Sequence, residues 1–264
     1  MKQRIITGVV AAAIFLPLVI LGELPFLVLV YLLGTMGLYE LLRMKHQKPG
    51  SFPAIISFIL LWLLMVPQSS NNGWLQFAFD KTEVVLWGVL LLLLCTVLSK
   101  NRFNFDDAGF LIISVLYVSM GFFFLYETRA AGLVYVFFVL FTIWATDSGA
   151  YFFGKAFGKR KLWPEISPNK TIEGSIGGII SGIIVGLLFF FLAEWDYSLS
   201  EIILISILIS IFGQLGDLVQ SAYKRHYGVK DSGTLLPGHG GILDRLDSLI
   251  FILPILHLLN LIGG

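Results

Sequence analysis

The feature that most constrains this chain is a series of long apolar stretches separated by short polar segments. A helix that crosses a bilayer needs about 20 mostly apolar residues. Nine stretches are candidates, of which the third and fourth are short: residues 5–21, 24–42, 52–67, 84–99, 108–126, 131–148, 175–193, 202–221 and 242–261. The sequence therefore predicts an all-α, polytopic integral membrane protein with nine transmembrane helices.

Composition excludes a soluble globular protein of this size. Hydrophobic residues make up 57% of the 264 residues, charged residues only 13%, and mean hydropathy is +0.86. Soluble domains carry about 25% charged residues. The net charge of +1 gives no basic field, so no nucleic-acid partner is expected. The single cysteine, Cys95, cannot form an intrachain disulfide.

The N-terminus begins with basic residues and an apolar run, a pattern shared by signal peptides and first membrane helices. Its A-x-A-like triplet, residues 11–13, lies inside the apolar run instead of after it. We therefore interpret this segment as a retained first helix.

Basic residues test the arrangement independently, because Lys and Arg accumulate in cytoplasmic loops. With the N-terminus inside, nine spans place all 18 Lys and Arg residues except Lys81 and Arg129 in inside segments. We expect an inside N-terminus, an outside C-terminus and two large cytoplasmic loops, 149–174 and 222–241. Spans five and six are separated only by residues 127–129, which predicts a tight turn there.

Polar residues divide the chain into two regions. Residues 1–130, with five spans, carry few ionisable groups and are interpreted as a transmembrane scaffold. Residues 131–264, with four spans, carry polar and charged residues at helix ends and in loops, and are interpreted as the functional region. We expect an integral membrane protein with its site facing the cytoplasm.

Two acidic residues lie where the membrane makes a charge costly, which marks them as functional candidates. Asp147 ends span six, where capping a helix is the alternative role. Asp217 lies near the inside end of span eight and shares a helical face with Ser221 and Lys224. A purely structural ion pair is the alternative there, but a buried pair seldom repays its desolvation.

The segment before span seven suits phosphate binding. It combines hydroxyls, an amide and one Lys beside a helix N-terminus, in Ser167, Asn169, Lys170 and Thr171. Glu173, at the start of the same helix, is explained by helix capping as well as by a role in the site. The small residues that follow, Gly174, Gly177, Gly178 and Gly182, indicate close helix packing more than catalysis.

The segment before span nine combines glycines with carboxylates. Asp244 and Asp247 share one face of the opening turns, where they repel each other unless a cation lies between them. Mg²⁺ suits such a site, since it binds one or two carboxylates together with substrate phosphates. Arg245 is the natural anion partner, and His239 is either an acid–base group or a structural hydrogen-bonding residue.

Residues 221–247 resemble the signature of the phosphatidate cytidylyltransferase family. The matching positions are a Ser, then Lys-Arg, Lys-Asp, Pro, His-Gly-Gly and Asp-Arg-apolar-Asp, and Tyr223 is a mild departure at a usually apolar position. The segments around Asp147 and residues 167–175 also resemble the family. The resemblance is strong over residues 142–250, and the N-terminal spans share only hydropathy.

This resemblance implies transfer of a cytidylyl group from CTP to phosphatidic acid, giving CDP-diacylglycerol and pyrophosphate, with Mg²⁺ as cofactor. It implies Asp217 and Asp244 as metal ligands. Catalysis would use Asp217, Asp244, Lys170, Lys224 and Arg245. Substrate binding would use Asp147, Ser167, Asn169, Thr171, Ser221, Arg225, Lys230, Asp231, His239, Gly240, Gly241 and Asp247. A second cation and a homodimer are left open, and the expected location is a bacterial inner membrane.

Other functions remain open from the sequence. A transporter would also use intramembrane Asp residues and Gly-broken helices, but at the midplane and with access from both sides. A CTP-dependent lipid kinase or an enzyme making CDP-linked isoprenoid-ether lipids would differ in its lipid acceptor. The chain lacks a G-x-x-x-x-G-K-[ST] loop, which disfavours an ordinary ATPase fold.

Overall fold

The computed structural model describes residues 2–67 and 80–262, where the chain forms nine α-helices and one antiparallel hairpin. The helices are α1 (Lys2–Leu21), α2 (Glu23–Met44), α3 (Phe52–Leu64), α4 (Lys81–Leu98), α5 (Phe105–Ala131), α6 (Leu133–Phe157), α7 (Ile172–Leu192), α8 (Leu199–His226) and α9 (Leu243–Leu258). The hairpin strands are β1 (Lys161–Trp163) and β2 (Ser167–Thr171). Each predicted span coincides with a helix. Met1, residues 68–79 between the third and fourth predicted spans, and the last two residues lie outside the described residues, as do the side chains of Lys2, Arg4 and Ile5.

Several helices have the dimensions and composition of membrane spans. In the part of the chain that the structure describes, six helices, α2 and α4 to α8, are long and apolar enough to cross a membrane. The apolar parts of α1 and α3 are shorter. Large apolar side chains remain at the protein surface, among them Phe191 at 77% exposure and Leu192 at 83%. Such a surface suits lipid and not water.

The chain separates into two compact units. The N-terminal unit comprises Met1–Ala130 and Asp231–Arg245, and the C-terminal unit comprises Ala131–Lys230 and Leu246–Gly264. The segment just before and at the start of α9 therefore packs with residues from the beginning of the chain.

In the N-terminal unit, large buried side chains such as Phe26, Leu38 and Phe122 form the core. The predicted turn at residues 127–129 is wrong, because α5 continues through it to Ala131. Arg129 projects from α5 and donates hydrogen bonds to the carbonyls of Val19 and Ile20, the latter at 2.8 Å. It thereby satisfies carbonyls at the end of α1 that have no intrahelical partner.

In the C-terminal unit, α6 and α7 pack closely through glycines. A Cβ atom at Gly178 would lie 2.7 Å from the carbonyl oxygen of Thr146, and one at Gly174 would lie 2.7 Å from that of Ala150. A Cβ atom at Gly182 would collide with the hydroxyl of a serine on α8. The packing role predicted for these glycines is confirmed.

The two predicted loops are shorter than expected. Helix α6 continues past the apolar run to Phe157, and the rest of the segment 149–174 contains the hairpin. Helix α8 continues to His226, so its last turn contains Lys224, Arg225 and His226. Hydropathy falls where charges begin, but the backbone remains helical because basic residues are favourable at a helix C-terminus.

Candidate active site

An accessible ion pair lies at the centre of the polar groups of the C-terminal unit. Lys170 Nζ is 2.6 Å from Asp217 Oδ2, and the two side chains are 25% and 35% exposed. Lys170 is the fourth residue of β2, and Asp217 lies nine residues before the end of α8. The pair therefore brings together two residues that the sequence assigned to phosphate and metal binding.

The hairpin that presents Lys170 is held by its neighbours. Glu173 Oε2 accepts hydrogen bonds from the backbone N–H groups of Lys159 and Arg160, at 3.0 and 3.2 Å. Arg225 Nε donates to the carbonyl of Ile166 at 3.3 Å, which ties α8 to the turn between the strands. Both contacts fix the position of β2 relative to α7 and α8.

Asp217 and Ser221 lie on one face of α8, as their helical spacing predicted. Ser221 Oγ lies 3.4 Å from Asp217 Oδ1 and donates a long hydrogen bond to it. Both oxygens of Asp217 thus contact polar side chains, while the carboxylate remains accessible.

Two further carboxylates belong to the same electrostatic group. Asp147 on α6 interacts coulombically with Asp217 and Lys170. Asp247 on α9 interacts with Asp217, Lys224 and Asp147. Asp147 is exposed, whereas Asp247 is only 8% exposed and accepts a hydrogen bond from the Ser248 N–H at 2.7 Å. We call Asp147, Lys170, Asp217, Lys224 and Asp247 the aspartate–lysine cluster.

The remaining predicted residues of the C-terminal unit have varied surroundings. The hydroxyl of Thr171 accepts a hydrogen bond from the Gly174 N–H at 3.1 Å and caps α7. Ser167 is half-buried on β2, and Asn169 on the same strand is exposed. Lys230, after α8, is also exposed.

The N-terminal unit holds the glycine-rich segment that precedes α9. Leu236 N–H donates to the Gly240 carbonyl at 3.0 Å, closing a tight turn. Gly238 and Gly240 have φ values of 77° and 86°, a left-handed conformation that favours glycine. Thr7 Oγ1 on α1 donates to the Pro237 carbonyl at 3.1 Å, so the first helix supports this turn.

Asp244 is anchored to the same segment. Its Oδ2 accepts hydrogen bonds from Ser232 N–H at 2.7 Å, Ser232 Oγ at 3.0 Å and Gly241 N–H at 2.9 Å. Arg245, which is exposed, donates through Nε to the His239 carbonyl at 2.8 Å. These contacts hold the first turn of α9 against the glycine-rich segment.

His239 shows no ring hydrogen bond at Nδ1 among the described residues. Its ring lies near Gly8 on α1, where an added Cβ would be 3.5 Å from the imidazole. Only its backbone takes part in the turn, through an N–H bond to the Leu236 carbonyl at 2.8 Å. Asp231, at the start of the segment, is exposed.

Sequence reasoning missed Glu40, a buried carboxylate on α2. It accepts hydrogen bonds from Ser232 Oγ and from the backbone N–H groups of Ile242 and Leu243. Glu40 was assigned to the scaffold because it lies near the end of span two. The available signal was an acidic residue within an apolar helix, which is a functional candidate by itself.

The two predicted metal ligands fall in different units, Asp217 in the C-terminal unit and Asp244 in the N-terminal unit. Across residues 2–67 and 80–262, no three His, Cys, Asp or Glu side chains are grouped so that they could hold a metal ion together. This donor set does not form a dedicated metal cage. Each carboxylate is a ligand of the kind that Mg²⁺ takes, since this cation uses one or two carboxylates and completes its shell with water and substrate phosphates.

Comparison with known proteins identifies relatives over almost the full length. A phosphatidate cytidylyltransferase of Bacillus subtilis (strain 168) is 52% identical over 262 residues, covering 98% of this chain and 97% of the relative. Proteins of the same name from Staphylococcus haemolyticus and Staphylococcus aureus (strain COL) are 48% and 47% identical over 259 residues, covering 98% of both sequences. The sequence model of the cytidylyltransferase family matches residues 2–262. The chain therefore belongs to the cytidylyltransferase family.

Proposed function

We propose that this membrane protein is a phosphatidate cytidylyltransferase, which converts CTP and phosphatidate into CDP-diacylglycerol and pyrophosphate. The observation that carries this function is the 52% identity to a protein of that name over 98% of the chain. The accessible Lys170–Asp217 pair supports it, since it offers a cation and a carboxylate at a place open to a substrate.

The reaction needs no nucleophile from the protein. A phosphate oxygen of phosphatidate attacks the α-phosphorus of CTP and forms the new phosphorus–oxygen bond. The bond from the α-phosphorus to the oxygen bridging to the β-phosphate breaks, and pyrophosphate leaves with that electron pair. The protein therefore has to align two polyanions and stabilise the charge on the leaving group.

The basic side chains would neutralise this charge. Lys170 and Lys224 in the aspartate–lysine cluster would contact phosphate oxygens, as would Arg245 at the start of α9. Asp217 holds the Lys170 ammonium at 2.6 Å, which orients it before a phosphate arrives. A phosphate oxygen can then accept a hydrogen bond from the same ammonium, because Lys carries three donors.

We further propose Mg²⁺ dependence. Asp217 and Asp244 would each serve as a cation ligand, and a bound cation would draw charge from phosphate oxygens and support departure of pyrophosphate. The 35% exposure of the Asp217 side chain supports access for a hydrated ion.

Nine spans with the N-terminus inside remain our proposed topology. Six helices reach the length and hydropathy of spans, and α1, α3 and α9 would complete the set. The basic ends of α6 and α8 would then face the cytoplasm, where CTP is available.

A transporter loses its support, because a family model covering residues 2–262 and relatives named for an enzyme both favour catalysis. An enzyme that uses another lipid acceptor differs from our proposal only in that substrate. The assay below distinguishes the two by which lipid becomes labelled.

The test is a reaction of detergent-purified protein with labelled CTP, phosphatidate and Mg²⁺. We expect labelled CDP-diacylglycerol, and about a 100-fold or greater loss of kcat in Asp217→Asn, since removing such charge stabilisation costs several kcal/mol. Asp196→Asn, an exposed loop residue of the same unit, is the matched control and should remain fully active. A folded protein that labels no lipid, or labels another lipid and not phosphatidate, would contradict the proposed function.

A further inference from the structure

Glu40 makes three buried polar contacts within the N-terminal unit. The residue is 2% exposed, and its Oε1 accepts the Ile242 N–H at 2.7 Å. Its Oε2 accepts the Leu243 N–H at 3.0 Å and the Ser232 hydroxyl at 2.8 Å. These partners lie about two hundred residues further along the chain, so the contact depends on the tertiary fold.

The backbone groups bound by Glu40 open α9. This helix begins at Leu243, and the first N–H groups of a helix have no intrahelical carbonyl to bind. A carboxylate placed there is also favoured by the helix dipole. Glu40 thus fixes the N-terminus of α9, immediately before Asp244 and Arg245.

Ser232 connects Glu40 to Asp244. Its hydroxyl oxygen lies 2.8 Å from Glu40 Oε2 and 3.0 Å from Asp244 Oδ2. A hydroxyl carries one hydrogen, so it donates to one carboxylate at a time. The orientation of Asp244 therefore depends on the same residue that Glu40 holds.

Two glycines leave just enough room for the Glu40 carboxylate. A Cβ atom at Gly233 would lie 2.7 Å from Glu40 Oε1, and one at Gly241 would collide with Glu40 Oε2 and Ser232 Oγ. The glycine-rich segment is thus fitted around this carboxylate on both sides.

We infer that Glu40 is a positioning residue for nucleotidyl transfer: it fixes residues 231–242 and the first turn of α9 so that Asp244 and Arg245 meet the triphosphate and its cation. This inference rests on the roles proposed above for Asp244 and Arg245. Glu40 acts through these residues and touches no substrate.

Glu40→Gln is the direct test. Its amide nitrogen would replace one acceptor oxygen and face the N–H of Leu243 or Ile242, so a donor would meet a donor. We expect kcat/KM for CTP to fall about 10-fold or more, as for loss of a charge-assisted hydrogen bond. The Mg²⁺ concentration for half-maximal rate should rise. Hydrogen exchange should accelerate selectively in peptides covering residues 231–245, although the buried donor–donor contact will also lower the melting temperature.

Two other variants make the test specific. Glu23→Gln changes an exposed carboxylate on the same helix and should match the unmodified protein in every measurement. Ser232→Ala should shift the same measurements in the same direction as Glu40→Gln. The double variant should be little worse than Glu40→Gln alone, because both residues act through one contact.

Unchanged kcat/KM and exchange in Glu40→Gln would overturn the inference. So would a lower rate with unchanged KM for CTP and unchanged Mg²⁺ requirement, which indicates only a smaller folded fraction. Should Glu40→Gln fail to fold, Ser232→Ala decides by the same criteria. If Arg245→Ala is impaired and Glu40→Gln is not, only the positioning role of Glu40 is contradicted. If Arg245→Ala is itself unimpaired, the proposed role of Arg245 at the active site is contradicted, and with it the basis of this inference.

Discussion

At the residue scale, the Lys170–Asp217 pair adds little to stability, which agrees with the substrate contact that we propose for it. Both side chains are partly exposed, and exposed ion pairs stabilise a fold by about 1 kcal/mol or less. The pair nevertheless lies near two further aspartates, Asp147 and Asp247, and a second lysine, Lys224, so the local charges interact. A substrate phosphate would therefore bind a Lys170 ammonium that Asp217 already holds in position.

We predict that Lys170→Ala will lower kcat/KM by about 100-fold, because a phosphate contact supplies several kcal/mol in the transition state. The matched control is Lys159→Ala, in which an exposed lysine next to the same hairpin is removed while its backbone bond to Glu173 remains. Steady-state kinetics on both variants provide the measurement. Equal losses at the two positions would show that a general positive charge, and not the Lys170 contact, is what the enzyme needs.

Contacts between individual side chains could be predicted from the sequence only where the two residues are close along the chain. The helical spacing of Asp217 and Ser221 was sufficient to place them on one face. Glu40 could not be connected with Ile242 by any periodicity, because their contact spans most of the chain. The same limit hid the Lys170–Asp217 pair, whose members were recognised separately.

At the element scale, hydropathy located every helix but misplaced several ends. The apolar pattern stops near Asp147, yet α6 runs to Phe157, and its last turn contains Lys155, a favourable residue at a helix C-terminus. The hairpin after it was not predicted, since its strands are three and five residues long and show no alternation of apolar residues. Short strands of this kind are specified by their contacts more than by a pattern.

The close packing of α6 and α7 at glycines predicts that adding a methyl group will change stability in opposite directions at two positions. Gly178→Ala should lower the melting temperature, because its Cβ would lie 2.7 Å from the Thr146 carbonyl and overpacking costs about 1–3 kcal/mol. Gly109→Ala on α5 has open space around the new methyl group and should leave stability unchanged or raise it by about 0.5–1 kcal/mol. Thermal unfolding in detergent compares the two. A Gly178→Ala protein as stable as Gly109→Ala would mean that the helices tolerate a wider separation.

At the scale of the whole molecule, the order of the chain does not match its packing. Residues 231–245 follow eight helices in sequence but belong to the unit that begins with α1. The turn at Pro237 contacts Thr7, and the start of α9 contacts Glu40. The order of charged and apolar segments along the sequence does not indicate that residues 231–245 pack against the first helices, because this contact depends on which helices pack together.

The proposed topology gives the last prediction. In a Cys95→Ser background, single cysteines at Lys159 and Lys230 should resist an impermeant thiol reagent in intact cells and react after permeabilisation. Both native residues are exposed, so burial in the protein would not explain their protection. A cysteine at Asp196, exposed between α7 and α8, is the matched control and should react in intact cells, because one span separates it from the hairpin. Labelling at Lys159 or Lys230 in intact cells would place that segment outside. It would also contradict a cytoplasmic site, because CTP is supplied from the cytoplasm and the Lys170 hairpin lies on the same side of α7 as Lys159.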